Sequence, residues 1–118
     1  MKILGSSTIV RSTDRGAAVS RFSAIFGVAP LHQFPIEGRD LTVDVFPGLS
    51  ILSGPAPALD ELADLRATVF VVSLAEAQTE LTDEGWTTVG SLGSGASLLV
   101  RDPDGNTLEF VENPDGTK

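Results

Sequence analysis

The stretch Val100-Arg101-Asp102-Pro103-Asp104-Gly105-Asn106-Thr107-Leu108-Glu109-Phe110 decides how the chain is read. Its Asp-Gly and Gly-Asn steps supply the positive φ angles that a tight hairpin needs, and apolar residues flank them on both sides. Ala96 to Arg101 and Thr107 to Glu112 are therefore read as two strands joined by that turn. Strand alternation sends Leu108 and Phe110 towards a helix, and Thr107, Glu109 and Val111 towards the opposite, cleft side.

Working backwards, Trp86 to Val89 reads as a further strand and the β-branched and aromatic run Arg66 to Val72 as another. Between them, Ser73 and Glu76 have the spacing of a capping box, whose hydroxyl and carboxylate each satisfy an orphan backbone N–H. A helix starts there and ends at Gly85. The same order, strand, helix, three strands, occurs once before. Ile3 to Ser12 reads as a strand, and Thr13-Asp14 are N-cap residues for a helix running to about Phe26. Ala18, Val19, Phe22, Ile25 and Phe26 follow the spacing of one buried face, and Gly27 supplies the C-terminal cap. Pro30 blocks further helix. Strands Leu31 to Ile36, Asp40 to Phe46 and Leu49 to Ser53 follow, with turns at Glu37-Gly38 and Pro47-Gly48. Gly27 and Gly85 end equivalent helices, and Gly48 and Gly105 end equivalent turns.

The two copies meet at Gly54-Pro55-Ala56-Pro57-Ala58, read as a linker because two prolines and a glycine do not suit a central strand or a helix interior. The expected architecture is α+β: two βαβββ modules forming curved mixed sheets around a shared cleft. They occupy about residues 1–54 and 63–118 of a single domain, with the linker at about 54–62. Clefts between modules are common ligand sites.

Composition narrows the function classes. The 118 residues are 42% hydrophobic and 20% charged, ordinary for a folded domain. Eight Lys and Arg against sixteen Asp and Glu give a net charge of -8, which argues against nucleic acid and anionic membranes as partners. With no cysteine, disulfides, thiolate metal sites and a cysteine nucleophile are excluded. The N-terminus lacks the apolar run of a signal peptide and no segment has a membrane-spanning length, so a cytoplasmic location is expected.

The hairpin at Asp102-Pro103-Asp104-Gly105-Asn106, with Glu109 on the strand that follows, is similar to the closing hairpin of the vicinal-oxygen-chelate superfamily (glyoxalase, bleomycin-resistance and dioxygenase proteins). Asp14 and Gly27 lie where that family's first strand-helix unit has an aspartate and a helix-closing glycine. The resemblance covers nearly the whole chain and implies a homodimer. Metal-using members place one ligand on the first and the last strand of each module. Those positions fall here on Ser7, Leu52, Ala67 and Glu109. A divalent metal needs three or four converging O or N donors, and a slip of one residue to Ser6, Thr8, Ile51, Ser53, Arg66 or Thr68 adds no histidine or carboxylate. No metal and no cofactor are therefore expected.

Glu109 is the sharpest candidate: a carboxylate in a partly apolar cleft binds a cationic group or accepts a proton, or else is a strand-end charge paired with an arginine. Arg11 and Arg101 fall on the cleft side of their strands, placed to neutralise Glu109 or grip an anion, or simply to be solvated. His32, the only histidine, is read as a strand-edge residue rather than a catalyst. Phe46 and Phe34 are the aromatic candidates for the cleft, whereas Phe70 reads as core on the helix-facing side of its strand, and Trp86 fits either role. Gly90, Gly93 and Gly95 lack the following helix and the lysine of a phosphate cradle, so they read as a hairpin loop.

Three readings compete. One is a metal-independent small-molecule binder with Glu109, Arg11, Arg101, Phe46, Phe34, Ser7, Leu52 and Ala67 around its ligand. Another is a metal-dependent lyase, isomerase or dioxygenase-like enzyme using a displaced site of Glu109 with some of His32, Glu37 and Asp44. The third is a structural or partner-binding homodimer. The fold alone does not choose among them.

Overall fold

Two short side-chain caps set where the first module turns from strand to helix and where the second does the same. The computed structural model describes residues 1–36, 38–91 and 97–112. Its elements fall into two compact units, Ser7–Ala63 and Asp64–Lys118 with Met1–Ser6. Strand β1 (Ile3–Ser12) contributes residues to both.

In the first unit, Asp14 caps helix α1 (Arg15–Phe26) by accepting the Ala17 N–H at 3.1 Å, and Gly27 ends it at φ 73°. Strands β2 (His32–Ile36), β3 (Leu41–Phe46) and β4 (Leu49–Ser53) follow, hydrogen-bonded in the order β2-β3-β4-β1. The β1 and β4 strands run parallel and the other neighbours antiparallel. Ala18, Phe46 and Ile51 form the buried core, with Val10, Val19, Phe22 and Leu49 packed against it. The expected buried helix face is thus shorter than the spacing suggests. Phe26 touches the Phe46 ring at 5.5 Å yet stays 39% exposed, and Ile25 is 70% exposed. The core is met chiefly by Ala18, Val19 and Phe22, and in the last turn only the Phe26 ring still reaches Phe46.

The stretch read as a linker contains a short helix, α2 (Ala56–Asp60). Pro55 is its N-cap and Pro57 lies in its first turn, where a backbone N–H has no partner within the helix to lose. Leu59 and Leu62 are buried, so this segment is anchored rather than a loose tether. Gly54, just before it, passes so close to the start of β3 that an added Cβ would lie 2.6 Å from the Asp40 carbonyl oxygen and 2.7 Å from Leu41 Cδ2.

In the second unit, β5 (Leu65–Val71), α3 (Leu74–Asp83), β6 (Thr87–Gly90), β7 (Ser97–Arg101) and β8 (Thr107–Glu112) repeat the order, with strands neighbouring as β5-β8-β7-β6. The β5 and β8 strands are parallel, and the others pair antiparallel. Ser73 Oγ accepts the Glu76 N–H at 3.2 Å, which is the hydroxyl half of the expected capping box. The next N–H, of Leu74, is taken by the Glu112 carboxylate from β8 at 2.9 Å, a negative group at the positive end of the helix. Val71, Ala77, Leu81, Val100 and Phe110 form the buried core, with Trp86 meeting Phe110 edge-on at 6.3 Å. In the closing turn Gly105 takes φ 89° and Asp102 accepts the N–H groups of Asp104 and Asn106 and the Asn106 amide. Glu37, Gly93, Gly95 and Ala96, which entered the sequence reading, lie outside the described residues.

The α+β class and the mixed sheet stand as expected. No helix among the described residues is long and apolar enough to cross a membrane.

Candidate functional site

On β8, Leu108 and Phe110 turn towards the core beneath α3, which leaves Thr107, Glu109 and Val111 on the opposite face. The ladders fix their neighbours: Thr68 and Leu99 flank Glu109, and Phe70 lies beside Val111. Glu109 accepts a hydrogen bond from Thr68 Oγ1 at 3.0 Å. Burial raises the Glu109 pKa above the ordinary carboxyl value, and the Thr68 hydroxyl opposes that rise. Such a carboxyl keeps its proton longer than a surface glutamate. When ionised, it attracts a cation strongly because little water screens it.

Two residues of β5 lie on faces other than those expected. Ala67 stands beside Leu108, on the α3 side, and Thr68 takes the place next to Glu109. The register shifts between Leu65 and Ala67, so counting along the strand misplaces the inward position by one. Phe70 is likewise not a helix-side residue. Val69 and Val71 pack against the α3 core, so Phe70 shares the Glu109 face and is only partly buried. The run Thr68-Val69-Phe70-Val71 is apolar on both sides, so hydrophobicity alone gives no sign of which side faces the helix. Phe70 is the candidate wall that the sequence reading missed.

Arg101 also lies on this face, but it does not neutralise Glu109. Its Nη2 binds the Asp64 carboxylate at 2.9 Å, which also accepts from Thr107 Oγ1 at 2.8 Å. The Thr107 hydroxyl first, and then Arg101, hold the Asp64 carboxyl below its ordinary pKa. This cluster ties the segment before β5 to the end of β7.

In the first unit, Phe34, Leu52 and Arg11 fall in one row across the sheet with Val43 between the first two, on the side away from α1. Ser7 lies on the same side and shares a hydrogen bond of 2.7 Å with Ser50 Oγ. Ser7 and Leu52 are buried, whereas Phe34 is 47% exposed on the edge strand. The Arg11 guanidinium donates to the Leu62 carbonyl oxygen. His32, partly buried, stands beside Val45 on this side too.

Phe46 is not a cleft residue. It is 1% exposed in the core under α1. The cause is Asp44, whose fully buried carboxylate also faces the helix side and receives Nε and Nη2 of Arg15, each at 2.8 Å. A charge turned towards the helix puts Thr42, Asp44 and Phe46 inside and reverses the alternation that Val43 and Val45 suggest.

These environments do not suit a divalent metal. Leu52 has no donor, Ser7 is engaged with Ser50, Ala67 faces away, and Asp44 is held by Arg15 on the other side of its sheet. Among the described residues, no three His, Cys, Asp or Glu side chains are grouped to hold a metal ion.

No family model matches the sequence, and no curated protein does. Solved structures do match. The chain is similar to an uncharacterized protein from Methanosarcina mazei, with TM-score 0.86 and 23% identity over 96% of this chain and 94% of that one. It is also similar to methylmalonyl-CoA epimerase from Mycobacterium tuberculosis, with TM-score 0.69 and 15% identity over 93% and 88%. A third is a glyoxalase/bleomycin resistance protein/dioxygenase superfamily member from Vibrio splendidus 12B01, with TM-score 0.53 and 12% identity over 92% and 97%. At these identities the likeness is one of fold, and that fold is the vicinal-oxygen-chelate fold.

Proposed function

We propose that this chain is a metal-independent binder of a small cationic molecule, acting in the cytoplasm as a homodimer, with Glu109 as the group that meets the ligand's charge. The observation that carries this reading is the difference between two carboxylates. Asp44 has a guanidinium of its own, whereas Glu109 meets a single neutral hydroxyl among the described residues. Natural proteins seldom bury a carboxyl without a cation or several donors, and a ligand ammonium or amidinium supplies what Glu109 lacks. Thr68 orients the carboxylate, and Phe70, Val111 and Leu99 surround it with apolar and aromatic surface suited to the rest of such a molecule. The net charge of -8 draws cations towards the protein in general.

Calorimetry against a panel of cationic and aromatic metabolites tests the proposal. A hit is expected to bind wild type saturably and to weaken by about tenfold or more in Glu109→Gln, since roughly 1.4 kcal/mol accompanies each tenfold loss. Its affinity should climb as pH rises through the raised Glu109 pKa, because the ionised carboxylate is the binding form. No heat and no thermal shift across the panel would sink the reading. So would protein purified without chelator that carries stoichiometric metal and loses it in Glu109→Ala, which is the outcome a metal-dependent lyase, isomerase or dioxygenase-like enzyme requires.

A further inference from the structure

Four of the eight large hydrophobic side chains exposed among the described residues lie within seven positions: Ile25, Phe26, Val28 and Leu31. They follow one another through the last turn of α1 and the connection that leads to β2, the edge strand of its unit. Residues 22–36 contain no Asp, Glu, Lys or Arg, in a chain with 24 such residues among 118. Ile25 is 70% exposed and Leu31 55%, so folding alone does not cover them.

We infer that this uncharged surface is where a second copy of the chain docks, an inference that gives a location to the homodimer of the preceding proposal. Charge selects the occupant. A second copy also carries -8, so it can approach closely only through a face without acidic groups. About a two-fold axis the same patch meets itself, and an uncharged apolar patch is self-complementary where a charged one repels. Anionic lipid and nucleic acid are disfavoured by the same net charge. Pro35 lacks a backbone N–H on the edge strand, which favours contact through side chains over strand-to-strand pairing. These side chains would form the apolar centre of an interface that needs about 800 Å² from each partner.

Sedimentation of the full chain at tens of micromolar tests this, with Ile25→Glu/Val28→Glu and the milder Ile25→Ser/Val28→Ser as variants, each checked by circular dichroism. The expected result is a dimer for wild type that tightens with added salt, as screening relieves repulsion between two acidic copies. The Glu variant should be monomeric with an unchanged spectrum. The Ser variant, which adds no charge and keeps an exposed helix surface, should dissociate at least tenfold more readily. A wild type that is monomeric throughout would overturn both the homodimer and its location. A dimer unaffected by either pair of substitutions, or one that salt dissolves, would overturn the location alone. Monomeric wild type that sediments with phosphatidylcholine vesicles, and loses this in the Glu variant, would assign the patch to lipid instead.

Discussion

In the first module the carboxylate of Asp44 is fully buried on the helix side of β3 and receives two N–H bonds from Arg15. In the second, Glu109 lies on the side of β8 away from α3 and receives one hydroxyl bond from Thr68. The first arrangement is complete: a planar guanidinium meets both carboxylate oxygens and ties the start of α1 to the sheet. The second holds a carboxyl in poorly solvating surroundings with nothing to balance its charge among the described residues. The contrast separates a carboxylate that serves the fold from one available to a ligand.

The largest expected effect tests the structural half. Phe46→Ala removes a ring that Phe22 and Phe26 both contact, and urea unfolding should show a loss of about 3–5 kcal/mol. A loss below about 1 kcal/mol would return Phe46 to the list of surface residues. Next is Arg15→Ala, which leaves Asp44 buried without its partner. The full cost of breaking a buried pair is several kcal/mol, but water reaches the half-exposed Arg15 position, so about 2 kcal/mol is expected.

The smallest effect has the opposite sign. The folded chain holds the Glu109 proton more tightly than the unfolded chain does. This group therefore adds stability below the ordinary carboxyl pKa and loses that contribution as pH rises through its raised value. Asp64 and Asp102, whose pKa values are lowered by their hydrogen-bond donors, contribute in the other direction and lose their share as pH falls. Glu109→Gln isolates the first effect. The variant should match wild type near about pH 4 and exceed it at neutral pH by on the order of 1 kcal/mol. If Glu109→Gln instead destabilises the protein at neutral pH, Glu109 belongs with Asp44 as a structural carboxylate.

Local chemistry made much of the fold legible in the sequence. Asp14 and Ser73 cap the helices they were read to cap, Gly27 and Gly105 take the positive φ that their turns demand, and β8 spans Thr107–Glu112 as its alternation requires. Such signals act over a few residues, so no tertiary information is needed to see them. The faces of β3 and β5 were not legible in this way. In β3 a buried charge points towards the helix, which only its partner Arg15, 29 positions away, explains. In β5 a register shift and apolar residues on both sides remove the alternation that would have placed Phe70 and Thr68 beside Glu109. The helical turn at Ala56–Asp60 was hidden by its prolines, which exclude a helix interior but suit a first turn. Glu109 itself was legible because its neighbours Leu108 and Phe110 mark the helix side unambiguously.

The close approach at Gly54 limits which sequences can adopt this chain's fold. Any side chain there must displace the backbone of Asp40, so substitutions that neighbouring surface positions absorb are barred at this one. Within this chain, residue 54 is therefore far less free to change than the exposed positions around it.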